Sequence, residues 1–80
     1  MVGRILALTG AGPRTRVLSL GCGIGDTELL LAPHVAEVLG IDLSPAAIRQ
    51  ARADAARLGI PNARFEEGTT AAGRWDLVIA

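Results

Sequence analysis

The chain has few of the features that mark secreted, membrane-bound or disulfide-rich proteins. Its single cysteine, Cys22, has no second cysteine for an internal disulfide. The N-terminus shows no basic region followed by a long apolar core and a small-residue cleavage site. No apolar run approaches the roughly 18 residues that suggest a membrane span. These absences predict a reducing, cytoplasmic location and no membrane partner.

Lysine is missing altogether, and the eight basic residues, all arginine, equal the eight acidic residues in number. The arginines are scattered along the chain, whereas nucleic-acid and membrane surfaces are marked by clustered positive charge. We therefore find no nucleic-acid signal and expect no such partner.

Eighty residues, half of them hydrophobic, suffice for one small domain or part of one. Glycines and Pro13 end a short helical pattern near the N-terminus, so residues 1–15 are predicted to be a partial helical lead-in. Residues 16–80 then form the domain itself.

Short apolar runs alternate with helical patterns along this domain. The predicted strands are 16–20, 37–41, 62–66 and 76–80, and the predicted helices are 27–32 and 45–58. Strand and helix alternating with crossovers of this length predict a parallel sheet wound right-handedly. The last strand is very apolar and no helix follows it, which predicts a fragment of a larger fold. The alternative is a partner chain, or self-association through the exposed edge of the fourth strand.

The second predicted helix has clear boundaries. Ser44 is a candidate N-cap, Pro45 suits the first helical position, and Gly59 suits the C-terminal cap. The positions expected on its buried face are Ile48, Ala51, Ala55 and Leu58.

A glycine-rich loop follows the first strand. Gly21, Gly23 and Gly25 alternate there, which permits a sharp turn and lets a ligand lie against bare main chain. Asp42 ends the second strand, where a carboxylate can accept hydrogen bonds from the ribose hydroxyls of a nucleoside. Together the two signals predict a nucleotide-type cofactor site.

Two cofactor classes fit such a loop, namely dinucleotides such as NAD and the nucleoside cofactor S-adenosylmethionine. The dinucleotide fingerprint requires a third glycine at its sixth position, where this chain has Asp26. A carboxylate there would repel a pyrophosphate but not a phosphate-free cation. The local charge therefore favours S-adenosylmethionine.

From about residue 16 to residue 80 the sequence resembles the class I S-adenosylmethionine-dependent methyltransferases. The matching segments are VLSLGCGIG at 17–25, VLGIDLS at 38–44, the helix start at 45–48, ARFEEGT at 63–69 and WDLVI at 75–79. The resemblance implies an α/β fold, a Rossmann-like doubly wound parallel sheet with strand order 3-2-1-4, here truncated after the fourth strand. It implies that the chain is the N-terminal, cofactor-binding half of such an enzyme.

The resemblance also implies roles for particular residues. The loop at Gly21, Cys22 and Gly23 would lie under the methionine part of the cofactor, Asp42 would bind the ribose, and Leu43 would pack on the adenine. Two positions depart from the family, which often has acids there: Thr69 near the adenine amino group, and Ser19 near the ammonium end. The complete set of predicted cofactor-binding residues is Ser19, Gly21, Cys22, Gly23, Gly25, Asp42, Leu43 and Thr69.

The implied activity is methyl transfer from S-adenosyl-L-methionine to an unidentified acceptor, which we expect to be a small molecule. Catalytic residues are expected beyond residue 80, and none is named. No metal is expected, because His34 has no other histidine or cysteine at ligand spacing. Cys22 is expected to be inert, since no nearby basic group would lower its pKa. The alternatives are an NAD-type oxidoreductase domain, or an inactive truncated module that needs a partner.

Overall fold

The computed structural model describes residues 12–69, 71 and 73–79. Most of the predicted helical lead-in, residues 1–11, lies outside the described residues. Residues 12–15 form a turn, in which the Thr15 N–H donates to the Gly12 carbonyl oxygen at 2.9 Å.

Four strands and two α-helices follow this turn. In chain order they are β1 (Arg16–Leu20), α1 (Asp26–Leu31), a 3-10 turn (Ala32–His34), β2 (Glu37–Asp42), α2 (Pro45–Leu58), β3 (Ala63–Glu67) and β4 (Leu77–Ile79). The strands form one parallel sheet in the order β3-β2-β1-β4. The predicted fold class and strand order are therefore confirmed.

The boundaries differ from the predicted ones by about a residue at β2, β3, β4 and α1. The strand β4 begins at Leu77, and the preceding residue, Asp76, is bonded to the start of β1. The Arg16 N–H donates to Asp76 Oδ2 at 2.8 Å, and the Asp76 N–H donates to the Arg16 carbonyl at 2.8 Å. Asp76 thus joins two strands at the amino edge of the sheet, away from the predicted ligand site.

The helix α2 has the predicted limits. The Ser44 hydroxyl accepts a hydrogen bond from the Ala47 N–H at 3.2 Å, and Gly59 has a positive φ of 67°. The Ile60 N–H then donates to the Ala55 carbonyl at 2.9 Å, which closes the helix end. Leu58 was wrongly placed on the buried face, since it is 52% exposed. After the left-handed glycine, Ile60 packs against the core instead.

The core lies on both faces of the sheet. One face packs against the helices, and its largest fully buried side chains are Leu31, Ile48, Val17 and Val38. The other face holds a smaller cluster of Leu18, Leu39 and Ile41, with Leu20, Ala71 and Trp75 packed against it. Neither described helix is long and apolar enough to cross a membrane.

Candidate cofactor-binding site

The loops that follow β1, β2 and β3 meet at the carboxyl edge of the sheet. The N–H groups of Gly21 and Cys22 both donate to the Ile41 carbonyl oxygen, at 2.7 and 3.1 Å. The Gly68 N–H donates to the Asp42 carbonyl oxygen at 3.0 Å. The end of β2 therefore anchors both the glycine loop and the segment after β3.

The Asp42 side chain ties the glycine loop to the start of α2. Its Oδ2 accepts the Gly23 N–H and its Oδ1 accepts the Ser44 N–H, both at 2.9 Å. Donation by Ser44, and next by Gly23, lowers the pKa of the Asp42 carboxyl below its usual value. Each carboxylate oxygen can accept a second hydrogen bond. Asp42 is thus held as an anion that can still bind ribose hydroxyls.

The first two glycines of the loop present open main chain. Gly21 and Gly23 have positive φ angles of 71° and 59°, and a Cβ at either position would meet nothing within 4 Å. The backbone there faces free space in which a ligand can approach closely. These two residues fit the predicted cradle for the cofactor.

Gly25 does not belong to this open surface. It is buried, and a Cβ there would lie 2.7 Å from Phe65 Cε1 and 3.0 Å from Ala51 Cβ. Gly40 was not among the predicted site residues, yet a Cβ there would lie 2.7 Å from Phe65 Cδ1 and 2.9 Å from Cys22 Sγ. Both glycines make room for the packing beneath the loop. A glycine inside the pattern of a strand was the available signal for Gly40.

The two residues predicted near the adenine both lie at the carboxyl edge. Leu43 follows Asp42 and is 71% exposed, which leaves a large apolar side chain without cover. Thr69 is exposed and follows Gly68, whose N–H binds the Asp42 backbone. The structure therefore brings both residues close in position to the Asp42 anchor.

Ser19 is hydrogen-bonded to an acidic residue, Glu28, which was not among the predicted site residues. Its hydroxyl donates to Glu28 Oε2 at 2.7 Å, and both residues are buried, with exposures of 4% and 3%. Helical spacing was the available signal, because Glu28 lies three and four residues before the fully buried Leu31 and Ala32. The buried face of α1 thus carries a carboxylate.

Cys22 is close enough to two carboxylates to feel their charge. Burial first, then the negative charges of Glu28 and Asp42, raises the pKa of its thiol to about 11. A thiol with this pKa stays protonated at neutral pH and is a poor nucleophile. This environment supports the expected inert role in the loop.

The charges around the loop suit a cationic ligand. Asp26, Glu28 and Asp42 all belong to this region, while the ion pairs among the described residues lie elsewhere, Arg16 with Glu37 at 2.7 Å and Arg57 with Asp54 at 3.4 Å. Repulsion between carboxylates and phosphates disfavours a pyrophosphate here. Within the described part of the chain, no group of three or more His, Cys, Asp or Glu side chains could hold a metal ion.

A shallow cavity of about 640 Å³ lies apart from this site, between α2 and β3. Its lining includes Arg52, Ile60 and Phe65 but none of the predicted cofactor-binding residues. Charge and backbone geometry both favour the glycine loop as the cofactor site, so we assign no ligand to this cavity.

A 3-2-1-4 parallel sheet, an open glycine loop after β1 and an anionic acid after β2 are typical of a Rossmann-like domain that binds a nucleotide-type cofactor. Residues 17–80 match the family model described as "Methyltransferase domain". The chain belongs to this family. The methyltransferase family recognised from the sequence is therefore confirmed.

Individual relatives agree with this assignment. The chain is 43% identical over 65 residues to a 23S rRNA (uracil(1939)-C(5))-methyltransferase, RlmD, of Xanthomonas campestris. This match covers 81% of the chain but only 15% of the relative. Among solved structures, the YcgJ protein of Bacillus subtilis superposes with a TM-score of 0.87 at 28% identity, covering 96% of this chain and 35% of YcgJ.

A second solved structure carries a ligand of the expected kind. It is an S-adenosylmethionine-dependent methyltransferase from Thiobacillus denitrificans in complex with S-adenosyl-L-homocysteine. The TM-score is 0.80 at 28% identity, over 96% of this chain and 34% of that protein.

The expectation of no nucleic-acid partner was wrong, because the RlmD relative is named as an rRNA methyltransferase. The same finding counts against the expected small-molecule acceptor. The prediction relied on balanced charge and scattered arginines. Since the match spans 15% of the relative, the charge of this segment does not report on RNA contacts made by the rest of such a protein.

Proposed function

We propose that this chain binds S-adenosyl-L-methionine at the glycine loop and is the cofactor-binding half of an enzyme that methylates RNA. The observation that carries the proposal is the Asp42 carboxylate, fixed by the Gly23 and Ser44 N–H groups beside open main chain. The proposed domain covers residues 16–80. The chain spans about a seventh of the length of the RlmD relative, so the activity belongs to the proposal.

The residues present fit this cofactor better than a dinucleotide. Gly21 and Gly23 leave space for the methionine part, Asp42 would accept from the ribose hydroxyls, and Leu43 offers an uncovered apolar surface to the adenine. The cofactor itself supplies a methyl group on a positively charged sulfur, which the carboxylates around the loop favour. The NAD alternative is disfavoured by the same charges.

In the proposed reaction, an atom of the acceptor bonds to the methyl carbon while the bond from that carbon to sulfur breaks. The electron pair of the broken bond would stay on sulfur and give S-adenosyl-L-homocysteine, and the proton on the methylated atom of the acceptor would pass to solvent. Such a displacement depends chiefly on holding donor and acceptor in line, so proximity and orientation supply much of the rate. The part of this played by the described residues is to hold the donor, and we assign no catalytic residue.

The proposed acceptor is a base in ribosomal RNA, which the name of the RlmD relative supports. An enzyme with this acceptor would act in the cytoplasm. The proposal is tested by incubating the complete enzyme of which this chain is the proposed half with S-adenosyl-L-methionine labelled in the methyl group, a 23S rRNA transcript and a small-molecule extract. We expect label in the RNA as 5-methyluridine after nuclease digestion. Label recovered only in the small-molecule extract of the same reaction would exclude the RNA acceptor.

Cofactor binding is tested by titrating the chain with S-adenosyl-L-homocysteine while recording amide NMR spectra. We expect shifts at Gly21, Cys22, Gly23 and Asp42, and no comparable shifts with NAD as the control ligand. Because Asp42→Asn removes a charged acceptor, it should weaken binding about ten- to a hundredfold.

The matched control is Asp76→Asn, since Asp76 also accepts a backbone N–H but lies at the amino edge of the sheet. We expect this variant to bind S-adenosyl-L-homocysteine as the unchanged chain does. Equal losses in both variants, or a preference for NAD, would contradict the proposed site.

A further inference from the structure

The Glu28 carboxylate is a buried charge without a basic partner among the described residues. It is 3% exposed, and the arginines that form described ion pairs are Arg16 and Arg57, with other acids. Its described hydrogen-bond partner is the neutral hydroxyl of Ser19. Burying a carboxylate is costly unless a cation accompanies it. A positive group on a ligand would offset the cost of burying this carboxylate.

The position of Glu28 limits which ligand could supply this positive group. Glu28 lies three residues after Gly25, and Ser19 lies two residues before Gly21, so their hydrogen bond spans the two ends of the glycine loop. Asp42 binds the same loop at Gly23. The charge of Glu28 also reaches the loop itself, since it contributes to the raised pKa of Cys22. Two carboxylates therefore act on the loop, Asp42 through the Gly23 N–H and Glu28 through its charge on Cys22.

S-adenosyl-L-methionine has a different polar group at each of its ends. The ribose offers neutral hydroxyls, which suit the partly exposed Asp42, and the amino-acid end offers an ammonium group. A carboxylate has about four accepting positions, of which the described Ser19 bond uses one. Glu28 thus retains capacity for further donors, such as an ammonium.

We propose that Glu28 holds the ammonium end of S-adenosyl-L-methionine, with Ser19 orienting its carboxylate. The inference rests on the proposed function. Ser19 stands where the resemblance leads one to expect an acid, and the structure puts a carboxylate against that same serine from α1. The strand therefore supplies the hydroxyl and the helix supplies the charge.

The test compares two ligands that differ only at the proposed contact region. S-adenosyl-L-homocysteine carries the amino-acid end, whereas 5′-methylthioadenosine keeps the adenosine and sulfur but lacks it. In calorimetric titrations of the 80-residue chain, Glu28→Gln should weaken S-adenosyl-L-homocysteine about ten- to a hundredfold. Its affinity for 5′-methylthioadenosine should stay within about twofold of the unchanged chain.

Two further variants control this comparison. Glu37 begins β2, and its carboxylate is paired with Arg16 of β1. Glu37→Gln removes that carboxylate and should leave the affinities for both ligands unchanged. The double variant Ser19→Asp with Glu28→Thr returns the carboxylate to the strand and should restore binding of S-adenosyl-L-homocysteine. If Glu28→Gln fails to give a dispersed amide spectrum, the folded double variant decides.

The outcomes separate this inference from the proposed function. An unchanged chain that binds both ligands, with a Glu28→Gln variant that weakens both equally or neither, would overturn the role of Glu28 while cofactor binding stands. The role of Glu28 would also be overturned if the folded double variant binds 5′-methylthioadenosine but no longer binds S-adenosyl-L-homocysteine. If the unchanged chain binds neither ligand, the proposed function itself is wrong.

Discussion

Two glycines of this chain share a positive φ for different physical reasons. Gly59, at the end of α2, needs only the left-handed backbone, because a Cβ there would meet nothing within 4 Å. Gly25 requires glycine for the left-handed backbone and also for lack of room, because a Cβ would lie 2.7 Å from the Phe65 ring. Comparing substitutions at these two glycines therefore separates the cost of backbone strain from the cost of side-chain overlap.

Alanine substitution at these two glycines should lower stability by different amounts. Gly59→Ala should cost about 1–2 kcal/mol of unfolding free energy through left-handed strain. Gly25→Ala should cost about 1–3 kcal/mol more, because the ring must also move. Urea unfolding followed by circular dichroism measures both. Equal losses would show that the Phe65 contact carries no weight.

The raised pKa of Cys22 predicts slow alkylation. A thiol pKa near 11 in place of 9.0 makes the thiolate about a hundredfold rarer at pH 8. Iodoacetamide should thus label the folded chain about a hundredfold more slowly than the chain in urea. The rate should keep rising with pH until about 11, since the raised pKa postpones ionisation. Equal rates in the folded and unfolded chain would disprove this environment.

At the level of elements, the helix α2 depends on the cap at its start. The Ser44 hydroxyl accepts from the Ala47 N–H, while the Ser44 N–H separately donates to Asp42. Ser44→Ala removes only the first of these bonds and should cost about 1 kcal/mol of unfolding free energy. Ser44→Asp keeps a capping oxygen and is the matched control. Urea midpoints that do not differ between these variants would argue against the cap.

The elements were predictable wherever their signals are local. The limits of α2 follow from Ser44, Pro45 and Gly59, which act within one or two turns of chain. Leu58 was wrongly placed because periodicity does not show where the core ends. The close packing of Gly25 against Phe65 was not predictable, because the two residues are distant in the sequence. Periodicity reports which face a residue occupies, but not what the fold brings against it.

The same limit applies to the candidate site. The glycine loop and Asp42 stood out because glycine spacing and a strand-end acid carry a local signature. Glu28 did not, because its proposed role depends on the hydrogen bond to Ser19, which only the fold creates. Its helical spacing indicated burial, and burial of an acid was the signal to follow.

At the scale of the whole molecule, composition was the weakest guide. Balanced charge suggested that no nucleic acid is bound, yet the RlmD relative, named as an rRNA methyltransferase, is 43% identical over most of this chain. A cofactor site and an acceptor site are separate surfaces, and their charges need not agree. Net charge is informative about partners only for the whole surface that meets them.

The hydrogen bonds that gather the loops at the end of β2 also affect how binding begins. The amides of Gly21, Cys22 and Gly23 are already bound to Ile41 or Asp42 before any ligand arrives. The conformational entropy of this loop is therefore lost when the chain folds, not when it meets its cofactor. A preorganised loop of this kind lets a small ligand bind through few contacts, because none of their free energy goes into ordering the protein.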